Sequence, residues 1–134
     1  MIQKNQNITL LTTNALGFPP FVFHQAIKFY GTDNHALVIH RSTSGVEIVD
    51  YNAFMKGRHI IRKKTYKVTH PFDPYYIEIC DRKPFDWMNN NCEDFASEVI
   101  EKTTDEHIYP KSIQRVIWMA IFVIILAVLI YFKR

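Results

Sequence analysis

The feature that most constrains this chain is a long apolar run near its C-terminal end, residues 116–132, with the sequence VIWMAIFVIILAVLIYF. None of these seventeen residues is charged, and only Trp118 and Tyr131 carry a hydrogen-bonding side chain. As a helix that rises about 1.5 Å per residue, the run spans roughly 25 Å, close to the hydrocarbon thickness of a bilayer. A core helix of a domain this small would keep a polar face. We therefore predict one transmembrane helix within residues 113–134.

Basic residues flank both ends of the run, Lys111 and Arg115 before it and Lys133 and Arg134 after it. Because the charge is balanced, the positive-inside rule gives no orientation. A cleaved signal peptide is excluded, since the run is C-terminal. With two residues after it, we expect the helix to insert only when synthesis has ended. We expect a single-pass C-terminal tail anchor in a membrane, with an N-terminal domain, residues 1–112, in the cytosol.

The remaining composition fits one small globular domain. The chain has 134 residues, 48% of them hydrophobic and 22% charged. Two of its 16 basic residues belong to the apolar end, so 14 remain beside 13 acidic ones. This near-neutral balance does not indicate a nucleic-acid partner, which requires a basic face. Cys80 and Cys92 fit a reducing compartment, and no Cys-x-x-Cys pair suggests zinc. We expect no metal and no cofactor; sequence alone does not exclude a disulfide.

Alternation of apolar stretches and turn signals predicts an α+β domain. Residues 35–51 are typical of a β-hairpin around a Ser-Thr-Ser-Gly turn. Residues 21–30 fit a strand or a short helix, and residues 75–80 fit a further strand. Residues 92–102, CEDFASEVIEK, have apolar residues at helical spacing and predict a helix. Residues 1–20 are polar and then loop-like, and no element is predicted there.

The sharpest local feature is Asn91-Cys92-Glu93 at the start of this predicted helix. Asparagine favours the N-cap position, and a cysteine beside it meets unpaired backbone N–H groups and the positive end of the helix dipole. Both stabilise a thiolate and an oxyanion. His35 is the candidate general base and acid, with Asp50 at the end of the neighbouring strand to orient it. Spacing alone also allows Cys92 to be a small buried residue.

The other titratable residues carry weaker signals. His24, His59, His70 and His107 have no partner spacing and are interpreted as surface or structural. Cys80 closes an apolar stretch and is interpreted as a small buried residue. A basic run surrounds residues 58–64, which fits either a solvated face or contact with anionic lipid headgroups.

Two of these segments resemble the motifs of the lecithin:retinol acyltransferase-like proteins. The family pattern is His-Trp/Tyr-Ala followed downstream by Asn-Cys-Glu-His-Phe; here residues 35–39, HALVI, resemble the His box and residues 91–96, NCEDFA, the Asn-Cys box. Residues 112–116, SIQRV, are similar to a Ser-x-Gln-Val stretch that also runs into a C-terminal membrane helix in several members. The family includes the HRAS-like suppressor phospholipase/acyltransferases, which are circularly permuted relatives of NlpC/P60 peptidases. The resemblance covers roughly residues 28–132.

The resemblance implies a small antiparallel sheet packed with the Cys-bearing helix, a permuted NlpC/P60-like fold, and a thiol mechanism on lipid. Cys92 would attack an acyl ester of a membrane phospholipid and form a thioester, with His35 as base and then acid. Asp94 stands where the family has His, and Ala36 where it has an aromatic residue. The family has a second His about twelve residues after the first, at the end of the next strand, and here that position is Glu47. A longer hairpin turn moves the end of the strand to Asp50, which therefore takes the third place in the predicted site.

Two other functions stay open at this point. The first is a catalytically inactive, membrane-tethered interaction module that keeps the fold and binds a protein partner. The second is a cysteine peptidase or amidase, which the anchor and the order of His before Cys disfavour.

Overall fold

The structure, a computed structural model, describes residues 1–86, 91–108 and 111–134, and only the backbone for residues 111–114. This part of the chain is α+β with a small antiparallel sheet, as the sequence predicts. The strands are β1 Asn7–Asn14, β2 Phe23–Tyr30, β3 Ala36–Ser42, β4 Gly45–Asp50 and β5 Ile60–Lys67. The helices are α1 Tyr51–Met55, α2 Pro74–Cys80, α3 Cys92–Thr103 and α4 Lys111–Lys133.

The five strands lie in the order β4-β3-β2-β1-β5, and every neighbouring pair is antiparallel. The hairpin predicted over residues 35–51 is confirmed, because β3 pairs with β4 from Leu37 opposite Asp50 to Ser42 opposite Gly45. Gly45 has φ +122°, a conformation that side chains other than glycine rarely adopt, and it closes the turn. Within residues 21–30, Phe23–Tyr30 form a strand rather than a helix.

Both faces of the sheet are covered, which follows from the alternation of side chains along each strand. On β2, Ile27 and Phe29 face the main core, into which α3 packs. Ala26 lies on the opposite face, where it meets Phe54 of α1 in a second, smaller cluster. Helix α3 contributes its apolar stripe to the main core: Phe95, Ala96, Val99 and Ile100. The two faces therefore hold different helices, and α3 carries the cysteine.

The start of α3 agrees with the sequence prediction. Asn91 is the N-cap, and its side-chain oxygen accepts hydrogen bonds from the N–H groups of Glu93 (2.9 Å) and Asp94 (3.0 Å). The Asp94 carboxylate accepts the Asn91 N–H at 3.2 Å, which completes a capping box. The two asparagines that precede Asn91 lie outside the described residues. Local sequence is sufficient to set this helix end, and thereby the position of Cys92.

Replacing Asn91 with alanine removes the acceptor for two helix N–H groups. We expect this change to lower the free energy of unfolding by about 1 kcal/mol. Thermal unfolding of the full chain in detergent, followed by circular dichroism, measures the loss. Asn91→Asp is the matched control, because its carboxylate keeps the cap. Equal losses in both variants would contradict the assigned role of the cap.

Three expectations for local structure are wrong. Residues 75–80 form helix α2 and not a strand, because Asp73 caps the helix and Pro74 occupies its first turn. Cys80 ends that helix and is exposed, not buried. Within residues 1–20, where no element is predicted, β1 is a central strand.

Strand β5 lies within the basic region that the sequence left unassigned. Of its eight residues, only Tyr66 is buried. An edge strand with almost no buried face shows no alternation of apolar and polar residues, so its sequence carries little strand signal.

Helix α4 contains the apolar run. Its segment Arg115–Lys133 has 19 residues and a mean hydropathy of 2.7, and none of it is buried by the rest of the chain. By length and composition this helix is able to cross a membrane. Near its start, Arg115 contacts the domain by donating from Nη2 to Oε1 of Glu93 at 3.1 Å.

Candidate active site

A cavity of about 160 Å³ lies where two central strands separate. The pairing of β2 with β3 ends at Ile27 opposite Ile39, so the start of β2 and the end of β3 diverge. The opening is lined by side chains from both strands, from the β1–β2 loop and from the start of α3. The ionisable residues of the lining are Cys92, His24, His40, Arg41 and Arg58.

Cys92 is the first residue of α3 and is buried. Burial raises the pKa of its thiol, and the Glu93 carboxylate adds to the rise, whereas the backbone N–H groups of Gln25, Cys92 and Glu93 oppose it. The expectation of a lowered pKa is therefore wrong, because desolvation outweighs the helix N-terminus. These N–H groups favour a negative charge on the sulfur.

His24 and His40 form a hydrogen-bonded pair on the face of the sheet that carries α1, where both rings lie beside the Phe54 ring. Nε2 of His24 lies 3.0 Å from Nδ1 of His40, and Nε2 of His40 lies 3.6 Å from a carboxylate oxygen of Glu47. The carboxylate favours a proton on Nε2 of His40, so that Nδ1 of His40 accepts from His24. In this arrangement the free lone pair of His24 is on Nδ1. That tautomer leaves Nδ1 of His24, a residue of the cavity lining, unprotonated.

Both imidazoles are neutral in the resting site. The pKa of His24 is lowered to about 3, first by burial, then by His40 and by the positive charge of Arg58. The pKa of His40 is also lowered by burial, although Glu47 acts in the opposite direction. With the thiol pKa raised and the imidazole pKa lowered, Cys92 and His24 rest as thiol and imidazole rather than as an ion pair.

Arg58 brings a fixed positive charge to the cavity. It donates to the backbone carbonyls of Phe54 (3.0 Å) and Asn14 (3.1 Å), and its guanidinium lies 4.6 Å from the centre of the Phe54 ring. These contacts hold the guanidinium against α1 and the end of β1. Burial lowers the pKa of Arg58, and the nearby Cys92 sulfur opposes this by favouring the cation. Arg58 is therefore able to stabilise negative charge that develops on the sulfur or on an adjacent oxyanion.

The structure places the predicted base and the predicted orienting carboxylate together, but not with the predicted nucleophile. His35 precedes β3, and its Nε2 lies 2.6 Å from Asp50. Both side chains are partly exposed, at 55% and 35%, and neither lines the cavity of Cys92. The hydrogen bond from the Ala53 N–H, followed by that from His35, lowers the pKa of Asp50. Asp50 is also the N-cap of α1, which gives this pair a structural explanation.

His24 and His40 were not singled out as site residues by the sequence. One signal for His24 is available, because His24-Gln25-Ala26 has alanine two residues after the histidine, as the family pattern has, whereas His35 is followed directly by alanine. The signal for His40 is the antiparallel pairing of β2 with β3, which places both histidines at one end of the sheet. Within the described ranges, no three His, Cys, Asp or Glu side chains are grouped as a metal site.

No family model matches this chain. Comparisons with curated proteins and with solved structures also give no match. The functional proposal therefore rests on the geometry of the cavity and on the length and apolarity of α4.

Proposed function

We propose that this chain is a membrane-anchored thiol phospholipase or acyltransferase that acts on the acyl esters of phospholipids. The observation that supports it most is the cavity that Cys92, at a helix N-terminus, shares with the hydrogen-bonded pair His24 and His40. A thiol, a proton acceptor and backbone N–H donors are the groups that acyl transfer through a thioester requires.

In the proposed reaction the Cys92 sulfur attacks the ester carbonyl carbon while its proton passes to Nδ1 of His24. The carbonyl oxygen becomes an oxyanion, which the backbone N–H groups near the sulfur and the Arg58 charge stabilise. Collapse breaks the ester C–O bond, and the imidazolium returns its proton to the departing lysophospholipid oxygen. Water or an amine then attacks the thioester carbonyl while His24 removes its proton, the C–S bond breaks, and His24 returns that proton to the departing Cys92 sulfur. His40 holds the tautomer and orientation of His24.

The resting protonation states fit a proton transfer coupled to the attack. A neutral thiol and a neutral imidazole need no counter-charge in a buried site. The imidazolium forms only when the oxyanion forms, and the two charges then stabilise each other. His24 is a weak base when no substrate is bound, so the bound ester is needed to make the proton transfer favourable.

We propose a lipid substrate because helix α4 is able to anchor the domain in a membrane. As a membrane anchor it would keep the domain at the bilayer surface, where phospholipid esters are concentrated. The ion pair between Arg115 and Glu93 joins the start of the apolar segment to the residue next to Cys92. Cys92 would therefore lie close to the point where the anchor enters the headgroups. We place the N-terminal domain on the cytosolic side.

The test of this proposal is fatty acid release from mixed phospholipid vesicles that contain the full-length protein. We expect His24→Gln to lower the rate by about 10²-fold or more, because general acid–base catalysis contributes about that factor. His35→Gln is the matched control, and we expect it to retain activity within about twofold, since His35 lies outside the cavity. Loss of activity in His35→Gln, with His24→Gln active, would refute the assignment of the base.

A second candidate is a membrane-tethered interaction module without catalysis. It is favoured by the size of the cavity, because about 160 Å³ is smaller than typical ligand pockets of about 300 Å³ or more. The low pKa of His24 agrees with it as well. A wild-type protein that is folded and membrane-inserted, yet releases no fatty acid, would support this candidate. Cleavage of a peptide and not of a lipid would instead support a cysteine peptidase.

A further inference from the structure

The β1–β2 loop, residues 15–22, exposes apolar side chains beside the cavity. Leu16, Phe18 and Phe21 are 46%, 48% and 75% exposed. The loop is ordered by its own backbone, with the Ala15 N–H donating to Val22 at 3.0 Å and the Val22 N–H donating to Pro19 at 2.9 Å. The loop contains two prolines and leaves about half of Leu16 and Phe18, and most of Phe21, exposed to solvent. Clustered apolar side chains of this kind mark a contact surface.

The surface around this loop is basic. Residues 1–32 and 51–72, which include β1, β2 and β5, contain eight of the 16 Lys and Arg residues and none of the 13 acidic residues. On β5, Arg62, Lys63 and Lys64 are exposed. Although the domain as a whole is near neutral, these segments therefore carry an excess of positive charge. The exposed basic residues of β5 are complementary to a bilayer that carries anionic headgroups.

The apolar loop and the basic strand are neighbours. Asn14, the last residue of β1, accepts the His59 N–H at 2.8 Å, just before β5 begins. Gly57 faces Leu16 closely enough that an added Cβ would lie 3.6 Å from the leucine methyl. The loop of residues 15–22 and the start of β5 thus form one continuous surface, which we call the loop–β5 surface.

The loop part of this surface lies near the start of the anchor. Leu16 and Phe18 line the cavity that contains Cys92. Glu93, the residue after Cys92, forms an ion pair with Arg115, at which the apolar segment of α4 begins. A bilayer that receives α4 at Arg115 is therefore close to the exposed side chains of the loop.

We propose that the loop–β5 surface is a docking surface for an anionic phospholipid bilayer. Leu16, Phe18 and Phe21 enter the interface between headgroups and acyl chains, and the basic residues of β5 contact the headgroup phosphates. Docking turns the mouth of the cavity toward the lipid. The inference rests on the anchor and on this surface, and it holds whether or not Cys92 is catalytic.

The exposed face of α2 provides an internal comparison. Tyr75, Tyr76 and Ile79 are also exposed apolar residues, at 48%, 66% and 63%. Helix α2 carries Glu78 and is flanked by Asp73 and Asp81, while Arg82, Lys83 and Lys102 line the same cavity as Tyr76, so its surroundings carry both signs of charge. Unlike the loop–β5 surface, this face offers an anionic bilayer no excess of positive charge. Docking through the loop–β5 surface leaves α2 in water.

The test uses the full chain in nanodiscs, with both native cysteines replaced by serine and a single environment-sensitive fluorophore attached at Phe21→Cys. We expect about twofold brighter emission, and quenching by spin-labelled lipids, when the nanodisc contains phosphatidylserine in addition to phosphatidylcholine. The same fluorophore at Tyr76→Cys is the matched control and is expected to show neither change. Adding Lys63→Gln and Lys64→Gln to the Phe21→Cys protein should abolish the response to phosphatidylserine.

A second measurement avoids labels and cysteine replacement. Hydrogen exchange of the wild-type protein in nanodiscs should show slower exchange in the loop of residues 15–22 when phosphatidylserine is present, and no change in α2. Two results would overturn the proposal. One is an equal fluorescence response at Phe21 and Tyr76, and the other is a hydrogen-exchange rate in the loop that does not depend on lipid charge. Protection of the loop by nucleic acid, with none from lipid, would overturn it also. None of these readouts depends on activity, so failure of the docking surface is distinguishable from failure of the catalytic proposal.

Discussion

Replacing Cys92 with serine is expected to abolish fatty acid release from phospholipid vesicles, with a loss of at least about 10³-fold. A serine hydroxyl is far less acidic than a thiol, and His24, with a pKa lowered to about 3, is too weak a base to remove its proton. Cys80→Ser is the matched control and is expected to retain full activity, because Cys80 is exposed at the end of α2. Rates measured on the reconstituted full-length proteins give the comparison.

Labelling by thiol reagents provides an independent check of this role. A small water-soluble alkylating reagent is expected to modify Cys80 first, because Cys80 is exposed and Cys92 is buried with a raised pKa. A lipid-like acylating probe is expected to reverse this order, since only Cys92 shares a cavity with His24 and Arg58. Preferential acylation of Cys80, or undiminished lipid hydrolysis by Cys92→Ser, would show that the cavity is not the site of acyl transfer.

The largest expected effect on stability comes from Arg41, a guanidinium that is only 1% exposed. It forms an ion pair with Asp81, donates to the Lys83 carbonyl at 2.8 Å and lies over the Phe95 ring. Asp81→Asn would leave this buried charge without its counter-ion. Breaking a buried ion pair by removing one partner costs about 3–5 kcal/mol, so we expect a loss of about 3 kcal/mol in the free energy of unfolding.

The control for this prediction is an exposed ion pair on the same domain. Lys102 is 70% exposed and pairs with Glu98 at 2.5 Å, so Lys102→Gln is expected to cost less than about 1 kcal/mol. Thermal unfolding of both variants in detergent, followed by circular dichroism, measures the difference. Similar losses for Asp81→Asn and Lys102→Gln would mean that Arg41 finds other partners or water when Asp81 loses its charge.

The structural features that were predicted correctly from the sequence are those that neighbouring residues define. The length and apolarity of residues 116–132 are sufficient to identify α4 as able to cross a membrane. Asn91 followed by a helical apolar pattern defines the start of α3 and therefore the position of Cys92. The turn around Gly45 between two β-branched runs defines the β3–β4 hairpin. Each of these depends on interactions between residues close together in the chain.

The environment of Cys92 was decided only by the tertiary structure. Local pattern paired His35 with Asp50, and the structure does bring those two side chains together. Which histidines share a cavity with the thiol depends on where β2 and β3 separate and on how α3 packs across the sheet. The same packing raises the pKa of Cys92, although the sequence around it favours a lower one. Burial and strand pairing join residues that are far apart in the chain, and local sequence patterns carry little information about such contacts.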